Sequence, residues 1–166
     1  PTNVSSGTKT YVKDVAEIVT KVVSNSKLKN ENIVAVCLGV PGSVNPITGV
    51  INFAANLGIK NYKMKSELKK LIPYPVLLEN DVNLGALGVK TYGVGKKSIN
   101  LLAVFIGTGI GGGVIINGKI YRGFNFVAGE IGHMLVQKNG PMCSCGKKGC
   151  FEALAIRTAI VNTIIY

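Results

Sequence analysis

One histidine and three cysteines stand close together in the stretch GEIGHMLVQKNGPMCSCGKKGC, residues 129–150, and no other feature restricts the folding of this chain so tightly. His133, the only histidine, and Cys143, Cys145 and Cys150 read H-x9-C-x-C-x4-C, with Gly146 and Gly149 allowing tight turns. Four borderline-soft ligands at this spacing suit a tetrahedral zinc ion. With every coordination position filled by protein, such a site is structural. Two other readings compete: three free thiols in a reducing cytosol, or a disulfide. The disulfide meets two obstacles, since three cysteines cannot all pair and a C-x-C bridge is strained. Zinc answers both the ligand count and the spacing. It would tie the loop 140–150 to the segment bearing His133 and thereby fix Glu130 and Glu152, which flank the knot.

The rest of the composition bounds the setting. At 166 residues, with 47% hydrophobic and 16% charged residues, the chain can form one ordinary domain or parts of two, and it lacks the composition of a disordered tail. No run of eighteen apolar residues occurs, and the first twenty residues carry no cleavable apolar segment. The expectation is a soluble, cytoplasmic protein with no membrane partner. The net charge of +11 invites a nucleic-acid reading, but the nineteen basic residues are spread along the chain. Their densest run, KNYKMKSELKK (60–70), lacks the aromatic interleaving of a single-strand binder and reads as the solvated face of a helix. Anionic small substrates use positive potential equally well.

Hydrophobic periodicity supplies the elements. In YVKDVAEIVTKVVSNSK, the residues Val12, Val15, Ile18, Val19, Val22 and Val23 fall on one face of an amphipathic helix. NIVAVCLGVPG is a continuous apolar run ending in a turn, the mark of a buried strand that carries Cys37. An extended excursion with a Thr48-Gly49 turn follows, then a short helix in KSELKKLI and a second buried strand in YPVLLEND. A helix is expected after Asp81. INLLAVFIGTGIGGGVIINGKIYRG gives strand, glycine turn, strand, Asn117-Gly118 hairpin and strand, and FEALAIRTAIVNTIIY is helical. This alternation indicates an α/β fold. A composition shift near GVGKKSI divides the chain into two parts, 1–98 and 99–166. It opens on a helix without a preceding strand and stops on one that is still apolar, so it reads as the middle of a longer protein.

Two further motifs carry chemistry. In IGTGIGGG, a glycine-rich turn directly after a strand lets backbone N–H groups approach an anion, with the Thr108 hydroxyl as a further donor. It lacks the ending of a Walker loop, and it does not open a helix as a dinucleotide fingerprint does. A plain tight hairpin is the competing reading. In LLENDVN, Glu79, Asn80 and Asp81 close a buried strand. Asp81 is placed either to cap the next helix or to accept a proton from an alcohol.

Taken together and in this order, LGVPGSV, LLENDVNLGALG, FIGTGIGGGVIINGKIYRG, AGEIGH and CSCGKKGCFEALA resemble the ROK family of bacterial sugar kinases and sugar-responsive repressors. The similarity runs from about Leu38 to Ala155. It implies a ribonuclease H-like, actin/hexokinase-type ATPase fold of two lobes, of which this chain is a partial fragment: 1–98 part of the small α/β lobe, 99–166 the start of the large lobe with the zinc knot. By the resemblance Asp81 is the catalytic base, and Asn56, Asn80, Asp81, Glu130, His133 and Glu152 bind sugar hydroxyls. His133, Cys143, Cys145 and Cys150 bind zinc, and Gly107, Thr108, Gly109, Gly111, Gly112 and Gly113 face the ATP phosphates. The implied activity is an ATP- and Mg²⁺-dependent, glucokinase-like hexose kinase. The alternative is the sugar-sensing domain of a repressor, in which a preceding helix-turn-helix would bind DNA. A homo-oligomer is expected. Two departures stand out: the family's N-terminal Asp-x-Gly-Gly-Thr phosphate turn and its downstream adenosine region are missing from this chain.

Overall fold

The computed structural model describes residues 8–157 and 159–161. Contacts divide the chain between Asp81 and Val82 into two compact units.

The first unit begins with helix α1 (Thr8–Ser26). Its buried stripe is Val12, Ala16 and Val19, with Tyr11, Val15 and Val23 packed beside it. That spacing of four and three residues is one helical face. Two residues expected on this face are not on it: Ile18 is 55% exposed and Val22 62% exposed. Ala16 sets the centre of the stripe, which leaves those two larger side chains on its flank. Strand β1 (Val36–Val40) follows, then an antiparallel three-stranded sheet of β2 (Ser43–Asn45), β3 (Val50–Ala54) and β4 (Ile59–Tyr62), in the order β2-β3-β4. The turn from β2 to β3 is held by the Asn45 side chain, whose Oδ1 accepts the N–H groups of Ile47 and Thr48. Helix α2 (Met64–Leu68) buries both of its end residues.

Strand β5 (Val76–Asn80) then pairs with β1 in parallel, with Val36 opposite Val76 and Val40 opposite Asn80. A parallel pair needs a long crossover, which β2 to β4 and α2 supply. Val40, Ile51, Met64, Leu68 and Val76 are the largest fully buried side chains of this unit. Burying each contributes about 1.5–3 kcal/mol. The two strands were expected to be buried on both faces. Instead Cys37 is exposed and its register partner Leu77 is 50% exposed. The pair is covered on one face, where Leu38, Val40, Val76 and Leu78 join the core.

Helix α3 (Asp81–Thr91) starts at the junction. The second unit carries an antiparallel meander, β6 (Leu101–Ile106), β7 (Ile110–Ile116) and β8 (Lys119–Ile120). The expected hairpin between β7 and β8 turns at Asn117 and Gly118, both with positive φ (52° and 74°), as a type I′ turn requires. Ala86, Ala103 and Ile115 form the buried centre. Glycines set how closely α3 and the meander approach. A Cβ at Gly85 would lie 2.6 Å from the Phe105 ring, one at Gly111 2.7 Å from Val82, and one at Gly113 would strike the Ala86 methyl. Helix α4 (Phe151–Ala155) follows the cysteine loop and is broken at Ile156. The longer C-terminal helix expected from the sequence falls partly on Thr158 and 162–166, which lie outside the described residues. No helix among the described residues is long and apolar enough to cross a membrane.

Candidate functional site

The four residues of the H-x9-C-x-C-x4-C pattern converge. His133 ends a single 3-10 turn (Ile131–His133), and the cysteines sit on a loop that folds back so that Leu135 bridges to Cys150 and Met142 to Lys148. The loop is closed by backbone: Cys143 N–H donates to the Lys147 carbonyl at 2.8 Å, and Gly149 N–H donates to the Pro141 carbonyl at 2.8 Å. One potential ligand atom from each of the four residues lies within 4.8 Å of all the others, the one such cluster of three or more groups among the described residues. Cys145 Sγ and Cys150 Sγ are 3.7 Å apart, and Cys143 Sγ is 3.6 Å from His133 Nδ1. A tetrahedral zinc with Zn–S bonds of about 2.3 Å places its sulfurs about 3.8 Å apart, so this donor set fits the ion. The Lys147 backbone N–H holds the Cys145 thiol below its ordinary range, while burial, with the neighbouring thiols, pushes Cys150 up to about 11. A metal bound here would have to displace the Cys150 proton.

His133 has two faces. Nδ1 looks toward Cys143, and Nε2 lies 4.0 Å from Glu130 Oε2 on the other side of the ring. Glu130 sits just after Gly129, which the backbone presses against β7: Gly112 N–H donates to the Gly129 carbonyl at 2.8 Å.

Glu152, in the first turn of α4, spans two parts of the unit. Its Oε2 accepts the Ile110 N–H at 2.9 Å, and its Oε1 accepts the Ser144 hydroxyl at 3.2 Å. A Cβ on Gly109 would lie 2.7 Å from Oε2, so that position must be bare for the carboxylate to reach Ile110. Sequence reasoning missed Ser144 and this bridge. The one signal for it was a small hydroxyl residue between two candidate metal ligands.

The glycine motif divides in two. Residues 107–109 form an exposed to half-exposed bend in which Gly107 N–H donates to the Gly109 carbonyl at 2.9 Å, and a side chain at Gly107 would point into open space. Thr108 is exposed at its tip. Gly111, Gly112 and Gly113 lie inside β7, where Val82, Ala86, Gly129 and Ile131 occupy the space a side chain would need.

The remaining expected sugar ligands belong to the first unit. Asn56 is exposed on a 3-10 turn (Ala55–Leu57). Asn80 ends β5 half-buried, its Nδ2 donating to the Gly42 carbonyl at 3.0 Å, and Asp81 is the exposed first residue of α3. Beside them Glu79 is only 6% exposed and its Oε1 accepts the Asn80 N–H at 3.0 Å, which stiffens the strand end.

The sequence pattern of the ROK family matches residues 2–164. A glucokinase of Halalkalibacterium halodurans is 37% identical over 98% of this chain and 49% of its own length. A xylose repressor of Bacillus subtilis is 38% identical over 80% of this chain and 34% of its own. Among solved structures, a ROK family glucokinase from Streptomyces griseus in complex with glucose and AMPPNP superposes with a TM-score of 0.77, 31% identity, and coverage of 90% of this chain and 48% of that one. The chain thus spans about half the length of the glucokinases it matches. The fold is the actin/hexokinase-type ATPase fold of the ROK sugar kinases.

Proposed function

The chain belongs to the ROK family, and from that membership we propose that it is part of an ATP-dependent hexose kinase of the glucokinase type. The observation carrying this reading is the glucokinase similarity, which extends over 98% of the chain and takes in both the strand end at Asp81 and the His/Cys knot. In this reading residues 1–98 belong to the small lobe and 99–166 begin the large one, and the protein works in the cytoplasm, where thiols stay reduced.

Asp81 is the base. Its carboxylate takes the proton of a sugar hydroxyl as that oxygen attacks the γ-phosphorus of ATP, and ADP leaves. Asn56, Asn80, Glu130, His133 and Glu152 orient the sugar. A polyol both donates and accepts at every hydroxyl, and carboxylates, amides and an imidazole N–H answer that need. The bend, closed by the Gly107 N–H on the Gly109 carbonyl, offers the Thr108 and Gly109 N–H groups and the Thr108 hydroxyl to the ATP phosphates, and Gly111, Gly112 and Gly113 carry the motif on into β7. Mg²⁺ accompanies ATP and neutralises charge on its phosphates. Zinc held by His133, Cys143, Cys145 and Cys150 would fix the fold of the loop.

Similarity to the xylose repressors favours a second reading, a sugar-sensing domain that keeps the sugar and metal sites. Asp81→Asn in the protein that carries this chain separates the two. A kinase should lose turnover while its sugar affinity stays within a few-fold, because the amide still hydrogen-bonds but cannot take the proton. A variant keeping a tenth or more of kcat would overturn the assignment of the base. A wild-type protein without sugar-dependent ATP turnover, but with sugar-sensitive DNA binding, would establish the repressor reading.

A further inference from the structure

We propose that Glu152 and Ser144 are positioning residues that couple the metal loop to the glycine bend, so that metal occupancy sets the geometry of residues 107–110. The inference deepens the kinase reading and takes from it the role of the bend. Its physical core stands on geometry alone.

The connection is short and continuous. Ser144 lies between Cys143 and Cys145, two candidate ligands, so its backbone position follows theirs. Its hydroxyl donates to Glu152 Oε1 at 3.2 Å, and Cys143 Sγ is 4.0 Å from the same oxygen. The other carboxylate oxygen accepts the N–H of Ile110, the first residue of β7, at 2.9 Å. Ile110 is 4% exposed, so without the carboxylate its N–H would have little water to turn to. An unsatisfied buried N–H costs about 1–3 kcal/mol, and a bond to an ionised acceptor is stronger than one to a neutral acceptor. The side chain therefore holds the start of β7. Directly before Ile110 stands Gly109, whose missing Cβ leaves room for Oε2.

The geometry also explains why a carboxylate stands at 152. The two donors meet different oxygens, Ser144 at Oε1 and Ile110 at Oε2. An amide would turn an N–H toward one of them, whereas each carboxylate oxygen accepts and keeps a further lone pair for a sugar hydroxyl. Melting of the loop removes the Ser144 donor and frees the carboxylate to rotate off Ile110. Phosphate bound at the bend would in turn favour the loop conformation that holds metal, because coupling of this kind is reciprocal.

The test is amide hydrogen exchange on the zinc-loaded chain, read at Ile110 by NMR, with Ile115 in the buried centre of the same strand as the control for general unfolding. With zinc bound, Ser144→Ala should speed exchange at Ile110 about tenfold while leaving Ile115 unchanged, and Ser144→Thr, which restores a hydroxyl, should return it to the wild-type rate. Removing zinc from the wild type with EDTA should speed Ile110 at least as much. Should the metal-free chain also lose protection at Ile115, the Ser144 pair with zinc bound decides. Equal Ile110 rates in wild type, Ser144→Ala and Ser144→Thr would overturn the proposal. A second measurement separates this outcome from failure of the kinase reading. ATP should slow zinc transfer to a competing chelator in the wild type and not in Ser144→Ala. No ATP effect in any variant, together with the Ser144-dependent exchange at Ile110, would remove the ATP role of the bend and leave the coupling standing.

Discussion

Gly129→Ala should destabilise the second unit far more than a matched change at another left-handed glycine. Gly129 has φ +87°, and a Cβ there would fall on the Gly112 carbonyl, across a contact that also carries the 2.8 Å bond from Gly112 N–H to the Gly129 carbonyl. Two costs therefore add. The left-handed backbone costs an alanine about 1–2 kcal/mol. Separating the two segments forfeits a backbone bond at a half-buried position, about 1–3 kcal/mol more. Gly118 has a similar φ of +74° but open space where its Cβ would go, so Gly118→Ala carries only the first cost. The variants should differ by about 2 kcal/mol, which in a unit of this size corresponds to roughly 8–16 °C in melting temperature. Thermal unfolding of both variants, zinc-loaded and followed by circular dichroism, measures the gap. Equal melting temperatures would refute the argument that Gly129 is glycine because β7 passes so close. Since Glu130 is the next residue, the same substitution should also weaken whatever Glu130 binds.

Three other outcomes are expected. Purified protein should hold about one zinc per chain, and chelation or Cys143→Ser should loosen 129–152; metal analysis finding none, with all four thiols freely titratable, would contradict the fit of the donor set. Cys37→Ser should change stability by less than about 0.5 kcal/mol in denaturant titration, because Cys37 lies on the uncovered face of its strand. In metal-free protein whose loop keeps this fold, the Cys150 thiol is pushed from 9.0 up to about 11, chiefly by burial. A raised thiol pKa means that the folded state favours the protonated form. That contribution is complete below pH 9 and is lost as pH rises through 11. The melting temperature of the metal-free chain should therefore fall across that window, and Cys150→Ser should flatten the fall.

Local chemistry was the legible part of this sequence. The Asn117-Gly118 hairpin, the helix at Asp81, the strand-turn-strand around 107–109 and the convergence of His133 with three cysteines all follow from residue types at fixed spacing. Such signals are local, and local geometry obeys them. What periodicity could not supply was which face of an element finds a partner. Cys37 and Leu77 lie in apolar runs that read as buried on both sides, yet only the Leu38 and Val40 face of β1 is covered. Ile18 and Val22 failed for a related reason, since a small Ala16 decided where the helix stripe lies. The Glu152 bridge was illegible for a third reason. It joins residues 110, 144 and 152 through one side chain, and no spacing rule relates a strand N–H to a hydroxyl between two candidate metal ligands. The family resemblance assigned Glu152 to the sugar, and nothing in that assignment suggested the bonds to Ile110 and Ser144.

The orientation of His133 has a stereochemical consequence. Were Nδ1 to hold a metal ion together with the cysteines, the imidazole would carry its proton on Nε2, the nitrogen that faces Glu130. A free histidine can exchange tautomers and so accommodate a neighbour that either gives or takes a hydrogen bond. A metal-bound one would be locked as a giver. In the sugar reading proposed above, together with an acceptor-only carboxylate alongside, it would present a fixed polarity, a donor next to an acceptor. Two epimers that differ in the direction of one hydroxyl would meet that pair with different complementarity, and the ring has no second protonation pattern with which to compensate. Discrimination between such epimers would thus be written into the metal chemistry, and swapping the ion's ligands would alter chiral preference without touching any residue reserved for the substrate alone.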